Sequence, residues 1–250
     1  MAETILVTGA SAGFGQAICR RLVADGHRVI GAARRIEKLQ ALHKELGEAF
    51  YPLQMDVTDL TQVDQALASL PKAWEQIDVL VNNAGLALGL APAQKAEIAD
   101  WLTMIQTNII GLTYLTRQIL PQMVERNDGY VINMGSTAGT VPYPGANVYG
   151  ASKAFVKQFS LNLRADLAGK QIRVTNIEPG LCEGTEFSSV RFKGDEKRVE
   201  ALYRDAHAIQ PEDIANTVSW LIQQPKHVNV NRIEIMPVSQ TFGPQPVYRG

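Results

Sequence analysis

The chain has 250 residues, 46% of them hydrophobic and 20% charged. That is enough to bury a sizeable core and reads as one α/β domain over residues 1–250. The formal net charge is -1, from 24 basic and 25 acidic residues, so nothing in the balance calls for nucleic acid or an anionic membrane as partner. No apolar run approaches the roughly 20 residues needed to cross a bilayer. The opening Met1-Ala2-Glu3-Thr4 puts an acid where a signal peptide would carry positive charge. Cys19 and Cys182 form no metal or redox motif, so a reduced, cytoplasmic setting is expected.

In chain order, short β-type runs alternate with helical patterns. Ile5 to Val7 precedes a helical stretch from Gly15 to Ala24, and Val29 to Ala32 precedes one from Ile36 to Leu46. Strands are then expected at Tyr51 to Met55, Val79 to Val81, Tyr130 to Met134, Val174 to Ile177 and Ile233 to Ile235. Helical patterns lie between them, notably Ile98 to Arg126, as one segment or two, and Val148 to Leu167. Strands apolar on both faces and separated by helices predict a doubly wound, Rossmann-type α/β fold. Its parallel seven-stranded sheet is covered on both sides, and ligands sit beyond the carboxyl ends of the strands.

After the first strand comes Thr8-Gly9-Ala10-Ser11-Ala12-Gly13-Phe14-Gly15, leading into a helix. Glycine lets the backbone turn sharply and approach a pyrophosphate, and a helix N-terminus offers free N–H groups and a positive dipole end. Such a turn can also join strand to helix with no ligand; its place in a βαβ unit favours the dinucleotide. The second strand ends in Ala32-Ala33-Arg34-Arg35, with no carboxylate for a ribose 2′-hydroxyl. Two guanidiniums suit a 2′-phosphate instead, so Arg34 and Arg35 predict NADP(H) rather than NAD(H).

Tyr149 and Lys153 stand four residues apart at the start of a helix, one turn apart on one face. A phenol has an ordinary pKa of about 10, and a neighbouring ammonium is expected to lower it toward the working range. Such a pair can give a proton to a carbonyl oxygen as hydride arrives, or take one from an alcohol in reverse. Ser136, just past a strand, is the hydroxyl that would hold the developing oxyanion. Taken alone, tyrosine and lysine at this spacing are common on helix surfaces; the combination with the glycine turn and Ser136 carries the assignment.

With these marks in order, together with Asp56-Val57, Asn82-Asn83-Ala84-Gly85, Asn108 and Pro179-Gly180, the chain resembles the short-chain dehydrogenase/reductase family over essentially its whole length. The resemblance implies that Asp56 and Val57 contact the adenine and that Asn83, with Ala84 and Gly85, lies beside the cofactor. It implies that Lys153 binds the nicotinamide ribose and that Asn108 holds a water in a proton relay to Lys153. Pro179-Gly180 would turn the chain past the nicotinamide. Within the family, the chain is similar to NADP-dependent 3-hydroxy acid dehydrogenases, which reduce malonic semialdehyde and oxidise serine or allo-threonine. Leu86 to Gly89, Gly135 to Gly139, Asn147 to Gly150 and Gly184 to Phe187 support that likeness, whereas Cys182-Glu183 departs from it. Sulfoacetaldehyde reductase is the rival, acting on an aldehyde of similar size that bears sulfonate.

The stretch from Cys182 to Gln210 is too long for a plain connection and is read as a lid. Arg191, flanked by apolar Val190 and Phe192, is its candidate ligand for a substrate anion, carboxylate or sulfonate. The tail from Pro237 to Gly250 is extended in composition. Family members are often tetramers, so a homotetramer is expected. The tail either crosses a subunit interface, with Tyr248 or Arg249 reaching a neighbouring site, or is a free terminus. A non-catalytic NADP(H)-binding regulator is the alternative of another class, and it has no need of the Ser136, Tyr149, Lys153 and Asn108 set. His27, His43, His207 and His227 show no metal-site spacing, so no metal is expected.

Overall fold

The strand runs alternate two ways at once, sending successive residues into opposite layers. The computed structural model describes residues 2–243. It opens with β1 (Thr4–Thr8), α1 (Gly13–Ala24), β2 (Arg28–Ala33), α2 (Ile36–Leu46) and β3 (Phe50–Gln54). Next come α3 (Leu60–Ala68), β4 (Val79–Asn82), α4 (Ile98–Ile105), α5 (Leu112–Arg126) and β5 (Gly129–Met134). Then follow α6 (Asn147–Asp166), β6 (Ile172–Pro179), the short α7 (Phe187–Arg191) and α8 (Glu196–Tyr203), α9 (Pro211–Gln223) and β7 (Arg232–Ile235).

All seven strands are parallel, in the order β3-β2-β1-β4-β5-β6-β7. Ile5 and Val7 of β1 pack with Ile18, Leu22, Leu39 and Val218, the layer of α1, α2 and α9. Leu6, between them, packs with Val63, Leu115 and Leu163, the layer of α3, α5 and α6. The strand order reverses direction between β1 and β4, which opens a crevice at their carboxyl ends.

Most boundaries fall within one or two residues of the sequence expectation, as fraying ends do. Two differences have causes. Strands apolar on both faces hold in the middle of the sheet but not at β7, where Arg232 and Glu234 are exposed on the edge. Polar residues also enter the sheet near its carboxyl end, because they satisfy one another. Asn82 donates to Thr116 Oγ1 and Asn133 Oδ1, each at 2.9 Å, and Asn133 donates to Ser160 Oγ at 2.9 Å.

The stretch from Ile98 to Arg126 is neither one regular helix nor two separated by a loop. Gln106–Gly111 widen into a π turn that joins α4 to α5 without a break. Gly111 is required there, since a Cβ would come 2.6 Å from the Val57 carbonyl oxygen. No helix among the described residues is long and apolar enough to cross a membrane.

Candidate active site

The cofactor end is built at the β1–β4 crevice. Thr8 ties the two strands together: its Oγ1 accepts from the N–H groups of Asn83 (3.0 Å) and Ala84 (2.9 Å). Asn83 Nδ2 donates back to the Thr8 carbonyl at 2.8 Å. Gly9 and Gly13 turn the chain through positive φ (69° and 50°). Gly15 allows the closest approach, because a Cβ there would lie 2.3 Å from Gly9 O and 2.8 Å from Asn83 Nδ2. No side chain caps α1 at Ala12, so its first N–H groups face the turn as an anion site would require. This cradle fits the pyrophosphate of a dinucleotide, and Phe14 is partly buried against the core below it.

The basic end of β2 is also in place. Arg35 donates from Nε (3.2 Å) and Nη2 (3.0 Å) to Ser11 Oγ in the glycine turn. Arg34 is exposed, and its carbonyl accepts from Gln54 Nε2 at 3.2 Å. A carboxylate lies close by. Glu186, from the lid, accepts from Arg35 and from Lys38 at 2.9 Å. Asp56 follows β3 and closes its own turn, accepting from Thr58 N at 2.9 Å and Oγ1 at 2.8 Å.

The catalytic candidates come from three places: the turn after β5, α6 and the π turn. Ser136, just beyond β5, accepts from Ala138 N at 3.1 Å and makes a long bond to Pro179 O at 3.4 Å. Tyr149 and Lys153 lie one turn apart on α6 and are both buried. The Lys153 ammonium donates to Met134 O at 2.8 Å and stands 5.9 Å from the Tyr149 ring centre. Gly180 donates its N–H to Ile235 O at 2.7 Å, where β6 hands the chain to the lid.

One sequence expectation is corrected by burial. The ammonium does not draw the phenol down in this structure. Burial pushes Tyr149 up to about 12, against the opposing pull of the Ser136 hydroxyl. Burial likewise pushes Lys153 down to about 8. Both shifts disfavour the charged form in a dry site, and the ammonium is aimed at a carbonyl rather than at the phenol oxygen.

Asn108, on the π turn, is buried and braced. Its Oδ1 accepts from Leu86 N at 2.9 Å, and its Nδ2 donates to Leu86 O (2.9 Å) and Ser152 Oγ (3.0 Å). These bonds hold the 85–86 loop against α6. A Cβ on Gly85 would stand 3.3 Å from both Asn108 Oδ1 and Lys153 Nζ.

Arg191 lies where the lid reading expects it, but for a different reason. Val190 is 44% exposed and does not wall the site. Two tyrosines do: the guanidinium carbon is 5.4 Å from the ring centres of both Tyr143 and Tyr149. Arg191 Nη2 donates to Tyr143 OH at 2.9 Å, and its backbone carbonyl accepts from Gly89 N at 2.9 Å. Beyond Arg191 lies a cavity of about 300 Å³ whose lining includes Gly89, Trp101, Asn147 and Phe192. The lid closes on itself at a neck, where Cys182 bridges Ile209 in parallel pairing. The expectation for Tyr248 and Arg249 lies outside the described residues.

A family profile described as short chain dehydrogenase matches residues 3–196. The chain belongs to the short chain dehydrogenase family. This dehydrogenase is 59% identical to an NADP-dependent 3-hydroxy acid dehydrogenase of Salmonella typhi over 245 residues, 98% of this chain and 99% of the relative. It is 52% identical to a serine 3-dehydrogenase of Agrobacterium fabrum over 249 residues, 100% of this chain and 99% of the relative. Its fold superposes on the closed form of serine dehydrogenase complexed with NADP+ with a TM-score of 0.97. That match has 56% identity and covers 99% of this chain and 100% of that one. No motif in the sequence marks Tyr143, Lys38 or Glu186 as neighbours of Arg191 and Arg35. Tyr143 stands in a proline- and glycine-rich loop with no motif, and Glu186 lies 151 residues from Arg35, so only the folded chain brings them in.

Proposed function

We propose that this dehydrogenase interconverts a small anion-bearing aldehyde and its hydroxy acid, with malonic semialdehyde and 3-hydroxy acids such as 3-hydroxypropionate or serine as the substrate class. The enzyme uses NADP(H), in line with the basic end of β2 and with the activities of its relatives. The observation that carries the substrate reading is the Arg191 guanidinium, 5.4 Å from the ring of Tyr149. A planar fork at that place suits a carboxylate held one or two carbons from the reacting carbon.

When bound, the nicotinamide supplies or accepts the hydride, and its oxidised form adds a positive charge that favours a phenolate. Tyr149 gives its proton to the carbonyl oxygen in reduction and takes one from the alcohol in oxidation. Ser136 donates a hydrogen bond to the same oxygen. Lys153 would hold the nicotinamide ribose and return a proton to Tyr149, and Asn108 keeps the 85–86 loop and α6 in register beside it. Arg34 and Arg35 would receive the 2′-phosphate, and Asp56 and Val57 would line the adenine site.

The enzyme is assigned to the cytoplasm as a homotetramer. Both cysteines are buried and unpaired, and Ile98 and Leu102 on α4 and Phe155 on α6 leave apolar surface for a neighbouring subunit.

The test follows NADPH oxidation with malonic semialdehyde, sulfoacetaldehyde and an uncharged aldehyde of similar size. Preference for malonic semialdehyde, lost by about 10²-fold or more in Arg191→Gln, supports the reading, as removal of a charged partner from an ionic ligand should. Preference for sulfoacetaldehyde moves the substrate to the sulfonate. Equal rates with the uncharged aldehyde overturn the role of Arg191 and leave the reductase alone.

A further inference from the structure

Glu186 belongs to the lid, yet its carboxylate reaches the far end of the cofactor cradle. Arg35 donates to it from Nη1 at 3.1 Å and Nη2 at 2.9 Å, and Lys38 Nζ donates at 2.9 Å. The remaining edge of the same guanidinium is turned to Ser11 Oγ in the glycine turn. One residue before Glu186, the lid touches that turn directly: a Cβ on Gly13 would stand 3.0 Å from Thr185 Cβ and Cγ2. An arginine fork and an ammonium gripping the oxygens of one anion is the arrangement that recognises a phosphate monoester. Here a carboxylate of the chain takes that place.

We propose that Glu186 is a specificity-determining residue for the cofactor, the internal anion that Arg35 and Lys38 hold until a 2′-phosphate displaces it. The inference rests on the reading of Arg34 and Arg35 as partners of that phosphate. A phosphate monoester carries about −1.5 to −2 charges near neutral pH and outcompetes a single carboxylate for two cations. A ribose 2′-hydroxyl carries none and leaves the tie intact. Glu186 is about half exposed, with 48% of its side chain open to solvent, so an arriving phosphate meets it without unfolding the lid. Arg35 and Lys38 hold its carboxyl at about 2, which keeps it charged throughout the neutral range.

The test is titration of NADPH and NADH into the wild-type enzyme, Glu186→Gln and Arg35→Met at one fixed ionic strength, following cofactor fluorescence. Glu186→Gln is expected to tighten NADPH about five- to tenfold, the effect of removing two partly exposed ion pairs that compete with it, and to leave NADH unchanged. An unchanged or weaker NADPH affinity overturns the proposal, as does an equal change for both cofactors. Arg35→Met separates the two layers of the argument. If it weakens NADPH alone while Glu186→Gln does nothing, the phosphate reading stands and the proposal falls. If Arg35→Met leaves the preference for NADPH intact, the phosphate reading is wrong and the proposal falls with it.

Discussion

Tyr149 and Lys153 are two buried titratable groups whose surroundings push their charged forms in the same unfavourable direction. A phenol at about 12 is fully protonated at neutral pH, which suits donation to a carbonyl oxygen. Tyr149→Phe is therefore expected to cut turnover by about 10²- to 10⁴-fold, the range of a lost general acid. Its NADPH titration should match the wild type, and a near-native rate would remove Tyr149 from the acid–base role. Lys153 makes a separate prediction about stability. Its folded pKa of about 8 lies below the ordinary lysine value, so above pH 8 the unfolded chain binds more protons than the folded one. Stability from this group therefore rises with pH from about 8 toward about 10, below the range in which Tyr149 begins to oppose it. Thermal unfolding of the wild type and Lys153→Met over that window checks the sign. The wild-type midpoint should climb relative to the variant, and parallel curves would contradict it.

At the scale of elements, the glycine turn is the part whose sequence and geometry agree most fully. Gly15→Ala places a methyl group against the Gly9 carbonyl, a backbone atom that cannot rotate away. Overpacking of this kind costs about 1–3 kcal/mol, and here it falls on the cradle, so cofactor affinity should drop roughly 10- to 100-fold with the fold retained. Isothermal titration with NADPH measures it; an unchanged affinity would mean that the turn does not approach the cofactor. The turn was legible because its chemistry is local: glycines, a strand before and a helix after. That Tyr149 and Lys153 share one face of α6 was legible for the same reason, the two being a single helical turn apart. What the sequence did not disclose is non-local. The Tyr143 ring beside Arg191 comes from a loop 48 residues away, and the π turn at Gln106–Gly111 packs its Gly111 against the distant Val57 carbonyl. The direction of the Tyr149 shift was misread because burial cannot be seen in spacing.

Over the whole molecule, the sheet ends at β7 on a charge that only the assembled layers can hold. Glu178 of β6 is fully buried and takes a two-pronged pair from Arg232, Nε to Oε1 at 2.8 Å and Nη2 to Oε2 at 2.7 Å. Asn176 supplies one further bond at 2.7 Å. Arg232→Met would strand a buried carboxylate, a change that costs about 3 kcal/mol or more. For a chain of this size that corresponds to a fall of roughly 6–12 °C in the unfolding midpoint, readable by calorimetry. A midpoint within a degree of the wild type would show that the pair is not what secures the edge.

The neck of the lid has a consequence for how such an enzyme changes over generations. Glu183 N donates to Ile209 O at 3.0 Å and Ile209 N donates to Leu181 O at 3.1 Å, so the closure is made by main-chain groups that every residue but proline possesses. Lid residues that touch neither the glycine turn nor the neck can therefore be rewritten while the gate stays hinged at the same spot, whereas Thr185 and Glu186, which meet Gly13 and Arg35, are tied to the cradle. Much of such a lid is thus free to drift in sequence while its hinge stays where two backbone bonds put it.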